Sequence, residues 1–108
     1  MKDNLKVITN IKKTILYLDK IIINMPNSDI VLKDNLKKAM YNVLEYAYMA
    51  SLDSKYKLFI ISKIKMVDFY LKISFEKKYI SYKKYEKVSN YLLEILKMVY
   101  GWLNYEKV

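Results

Sequence analysis

Placed on a wheel of 100° per residue, the apolar residues of this chain gather into four helical sectors separated by short polar breaks. The first spans about residues 4–24, with Val7, Ile8, Ile11, Ile15, Leu18, Ile22 and Met25 on one side. Met25-Pro26-Asn27-Ser28 ends it, because proline disfavours a helical residue before it, and Asn27, Ser28 or Asp29 can cap the next helix. This second helix, over about 29–50, aims Leu32, Leu36, Ala39, Val43, Ala47 and Ala50 inward, its alanines permitting close approach. Ser51 or Asp53 can cap a third over about 54–75, and Ser81 a fourth over about 82–105. In the fourth, Tyr85, Val88, Leu92, Ile95, Leu96, Val99 and Leu103 oppose Lys83, Glu86, Lys87, Asn90, Glu94 and Lys97. Four such helices on short turns predict an all-α fold, an antiparallel up-down-up-down four-helix bundle forming one domain over 1–108.

The third helix carries more apolar surface than one core can use. Ile60, Ile64, Val67 and Leu71 fill one sector, while Phe59, Met66, Tyr70 and Ile73 lie nearly opposite. Tyr91, Met98, Trp102 and Tyr105 repeat that spacing along one edge of the fourth. A helix apolar on two sides has two partners, so these eight residues are the expected contact between subunits. The bland alternative is that a small bundle wraps a wide core and its tyrosines tolerate partial exposure.

Composition narrows the chemistry. All 20 positive charges are lysines, and the chain has no histidine, cysteine or arginine. Thiolate and imidazole metal ligands, and a proton shuttle poised at neutral pH, are therefore missing. No glycine loop cradles a phosphate, and no nucleophile stands beside a base. Glu86 and Glu94 lie eight apart beside Lys83, Lys87 and Lys97, which reads as ordinary surface ion pairing. No catalytic residue, metal or cofactor is expected. No run approaches the roughly 18 apolar residues of a membrane span, and Asp3, Lys6, Lys12 and Lys13 interrupt the hydrophobic segment of a secretory signal. The expectation is a cytoplasmic protein without a membrane role.

A net charge of +9 points to a polyanionic partner, although a chain heavy in Lys, Ile, Asn and Tyr also fits a genome rich in A and T. Position discriminates between the two. Lys2, Lys6, Lys13 and Lys20 fall within about 40° of one another on the first helix, and no acidic residue shares their strip. Residues 53–80 carry seven lysines against three acids, among them Lys65 and Lys72, with Lys57 nearby and Asp68 between, and Lys77 and Lys78 in the following turn. Lysine meets phosphate as a hydrated point charge, so these eight positions (2, 6, 13, 20, 65, 72, 77 and 78) predict salt-sensitive binding that reads sequence poorly. A solvated face is the competing reading. Tyr17, near the strip, is the one tyrosine singled out for stacking on a base.

Tyr79-Ile80-Ser81, Tyr85-Glu86, Ser89, Glu94-Ile95, Lys97-Met98 and Gly101-Trp102-Leu103 succeed one another at spacings that resemble the C-terminal signature of the accessory variability determinant proteins of diversity-generating retroelements. That four-helix family shares its fold with proteins encoded in ribosomal-RNA intervening sequences, which usually lack the Gly-Trp ending. The resemblance implies a non-catalytic homopentamer that binds a reverse transcriptase and its template RNA, or an RNA/DNA hybrid, to support cDNA synthesis. Lys72 stands about where the family commonly has an arginine, and Tyr100-Gly101 replaces a frequent pair of glycines. Gly101 and Trp102 read as structural anchors of the subunit contact. Two alternatives stay open: an intervening-sequence type protein without a polymerase partner, and an interaction module whose lysines serve solubility.

Overall fold

With one proline and one glycine in the chain, side-chain caps and tight turns define most helix ends. The computed structural model describes residues 2–107, with side chains described for 6–103. It contains α1 (Lys2–Ile22), α2 (Ile30–Leu52), α3 (Tyr56–Glu76) and α4 (Tyr82–Lys107). After α1 the Met25 N–H donates to the Ile22 carbonyl at 3.0 Å, Pro26 is extended, and a 3-10 turn over Asn27–Asp29 leads into α2. Of the three candidate caps Asn27, Ser28 and Asp29, it is Asp29 that caps α2, its Oδ1 accepting from the Leu32 N–H at 3.4 Å. Lys33 locks this corner from inside: its buried ammonium donates to the Met25 carbonyl at 3.1 Å and to Asn27 Oδ1 at 2.7 Å.

Asp53 closes α2, donating its N–H to the Met49 carbonyl at 2.9 Å, while its Oδ1 accepts from the Lys55 N–H at 3.2 Å. At the end of α3 the Lys78 and Tyr79 N–H groups return to the carbonyls of Phe75 and Ser74, both at 2.9 Å. This is a Schellman motif, and it sets Lys78 at φ 66°, a left-handed position more often held by glycine. Ser81 Oγ then accepts from the Lys84 N–H at 3.2 Å and starts α4.

Each helix packs against its neighbours in sequence and α4 closes on α1, with no direct packing across the diagonals among the described residues. That is the antiparallel up-down-up-down four-helix bundle. The expected core is where the wheel put it: Ile11, Leu36, Val43, Ala47, Ile60, Val67, Leu71, Val88, Ile95 and Val99 are all fully buried. Ala39, Ala47 and Ala50 are buried on α2, where small side chains permit close approach, and α2 and α3 form the most extensive pair. Each large aliphatic side chain so buried contributes about 1.5–3 kcal/mol.

Candidate nucleic-acid interface

The helix-one strip lies on the flank of α1 that leans toward α4. Lys6, Lys13 and Lys20 are exposed, and none has an ion-pair partner among the described residues. The side chain of Lys2 lies outside the described residues. Lys13 reaches across the seam, its ammonium 5.4 Å from the ring centroid of Tyr91 on α4. In return Lys87 of α4 sits 4.6 Å over the ring of Tyr17 on α1. The two rings meet edge to face, with centroids 5.7 Å apart and an interplanar angle of 86°. The reason is local: Lys-x-x-x-Tyr occurs at 13–17 and again at 87–91, and a spacing of four stacks both members on one helix face. Because the helices run antiparallel, each lysine lands on the other helix's ring.

The lysines of α3 and its following turn divide. Lys65 and Lys72 are exposed on α3, with Lys65 and Asp68 flanking a groove of about 260 Å³ that Ile64, Ser89, Leu92, Leu93 and Leu96 line from α3 and α4. Lys78 is exposed at its left-handed position. Lys77 is not a free cation: its ammonium bonds Asp29 Oδ2 at 2.9 Å, and the Tyr79 hydroxyl donates to the same oxygen at 3.1 Å. The hydrogen bond from Lys77 holds the Asp29 carboxyl below the ordinary aspartate value, and the same contact raises the Lys77 ammonium above its own. Burial, then the bond to Asp29, raises the Tyr79 hydroxyl. Lys57, grouped with Lys65 and Lys72 on the wheel, is instead fully buried, its ammonium 4.3 Å from the Trp102 ring centroid.

The expected subunit stripes also split. Phe59 and Met66 are exposed on α3, whereas Tyr70 and Ile73 are half-buried and pack against the chain's own core. Leu58 and Phe69, which lie outside the stripe marked by the wheel, add 61% and 52% exposed apolar side chains to the outer face of α3. On α4 the stripe turns inward. Tyr91 meets Tyr17, Met98 accepts a hydrogen bond from Asn10 Nδ2 through sulfur at 3.6 Å, and Trp102 is 7% exposed. The side chain of Tyr105 lies outside the described residues. Trp102 is thus an anchor of the chain's own core rather than of a subunit contact, because it is buried there with the Lys57 ammonium over its ring. Among the described residues, a methyl group added at Gly101 would meet nothing within 4 Å, so packing against them does not require that glycine.

Lys87 escapes a reading of the sequence because a wheel drawn for α4 alone puts it among exposed polar residues. The Lys-x-x-x-Tyr spacing alone does not single it out, because the same spacing recurs at 37–41, where Lys37 lies over the ring of Tyr41 on its own helix, and at 78–82. No helix among the described residues is long and apolar enough to cross a membrane, and no group of three or more acidic, His or Cys side chains there could hold a metal ion. No protein-family model matches the chain, and a search of curated proteins returns no match.

Proposed function

We propose that this protein is a non-catalytic RNA-binding accessory protein that associates with a retroelement reverse transcriptase and its template RNA to support cDNA synthesis. The observation that carries the RNA-binding part is the α1–α4 edge. Lys6, Lys13 and Lys20 stand there without carboxylate partners among the described residues, and Lys87 joins them from the facing helix. Such an array concentrates positive potential along one side of a narrow bundle, as phosphate binding requires. The polymerase partner rests on the resemblance around Tyr85-Glu86 and Gly101-Trp102-Leu103.

The test substitutes Lys6, Lys13 and Lys20 with glutamine together and measures RNA affinity across a salt series. Affinity should fall, the slope of log K against log salt should shrink by about 2 for single-stranded RNA, and thermal stability should hardly change. Unaltered affinity and slope would remove α1 from the site. Self-association, with five subunits as the resemblance implies, draws support from exposed Phe59 and Met66 beside Leu58 and Phe69. Sedimentation velocity should then give a species several times the 13.0 kDa chain, and a lone monomer at micromolar concentration would withdraw this part.

A further inference from the structure

The α1–α4 edge holds rings as well as charges. We infer that Tyr17 and Tyr91 form a stacking site for unpaired bases, so that this edge takes single-stranded rather than duplex RNA; the inference rests on the proposed RNA-binding function. Among the described residues, other aromatic groups are differently disposed. Tyr46, Tyr56 and Phe59 close on one another as a three-ring cluster with one ammonium, that of Lys55, 5.2 Å from the Tyr56 centroid, and Phe75, Tyr82 and Tyr85 form a second three-ring cluster. Tyr41 and Tyr48 each meet one lysine, Lys37 and Lys12, at the longer centroid distances of 6.0 and 5.7 Å.

At the α1–α4 edge two half-buried rings from different helices are fixed against each other at 5.7 Å, with an ammonium 4.6 Å from one and 5.4 Å from the other. The rings are held before any ligand arrives, which reduces the ordering cost of stacking. Each ammonium is on a flexible four-carbon stem and rests on a ring, a weaker partner than a phosphate. When a strand approaches, Lys87 and Lys13 can swing from ring to phosphate, and the vacated ring face takes the base on the same nucleotide. A duplex satisfies the lysines but not the rings, because its bases are stacked and paired inside the helix.

The experiment measures binding of the intact chain to three probes of equal length: oligouridylate, an abasic oligomer with the same phosphates, and an RNA duplex. Oligouridylate should bind at least about fivefold tighter than the abasic oligomer. Tyr17→Leu and Tyr91→Leu should each shrink that gap while leaving abasic affinity and its salt slope in place, and Tyr17→Phe should keep the gap. Equal affinity for the abasic and base-bearing strands, duplex binding as tight as single-strand binding, or a gap that survives in both leucine variants overturns the inference and leaves the RNA-binding function standing. Failure of all three probes to bind sinks that function and this inference together. The comparison of probes on the unaltered chain does not depend on whether a leucine variant folds.

Discussion

Lys57 and Trp102 show most directly what single residues contribute to this bundle. The Lys57 side chain is wholly buried and lays its ammonium over the Trp102 indole, so one long side chain and one large ring fill the same part of the core near the end of α4. Trp102→Ala should therefore cost about 3–5 kcal/mol, read as a lower denaturant midpoint at similar m. A loss under about 1 kcal/mol would mean that the ring is not a core residue. Neither residue's setting was legible in the sequence. A helical wheel assigns any lysine outward, and 45 positions separate Lys57 from the ring that receives it. Aliphatic positions such as Ile11, Val67 and Ile95 were legible because one period fixes them, whereas a lysine on the core flank depends on a partner that no period announces.

Between elements, the contact that ties the α3–α4 turn to the start of α2 is the Asp29, Lys77 and Tyr79 cluster. Asp29 caps α2 and accepts from Lys77 and Tyr79 with one oxygen, so one carboxylate joins residues 48 and 50 positions away. The direction of each shift sets the pH dependence. Asp29 is lowered by its bond with Lys77, so its contribution is present above the unfolded value near pH 4 and is lost as pH falls through the folded value. Lys77 is raised by the same bond, so its contribution is present below about pH 10 and is lost as pH rises through the folded value. Asp29→Asn should lower Tm at pH 7, and the difference from the parent should close as pH drops toward about 2. A gap of constant size over that range would show that the charge on Asp29 contributes nothing. The sequence named Asp29 as a possible cap and Lys77 as a possible phosphate contact, but not their pairing, since helical periodicity is silent on what a turn touches across the bundle.

For the molecule as a whole, what the sequence offered as a strip on one helix becomes an edge shared by two. The net charge of +9 is unevenly available: Lys33 and Lys57 are withdrawn into the structure and Lys77 is matched by Asp29, whereas Lys6, Lys13 and Lys20 face outward. The partner half of the edge, Lys87 and Tyr91, becomes visible only in the antiparallel packing of α4 on α1. Likewise, the four-helix pattern could be read from periodicity, but it did not tell which flank of α4 its neighbours would cover, so Met98, which meets Asn10 of α1, and Trp102, which lies under Lys57 of α3, looked available to a second subunit. The most direct test of the edge is a titration of the isotope-labelled chain with oligouridylate, monitored by amide and lysine side-chain NMR. The account predicts that the shifts concentrate at Lys6, Lys13, Tyr17 and Lys20 on α1 and at Lys87 and Tyr91 on α4, and shrink as salt rises. Shifts confined to α2 and α3, with these six residues unmoved, would contradict it.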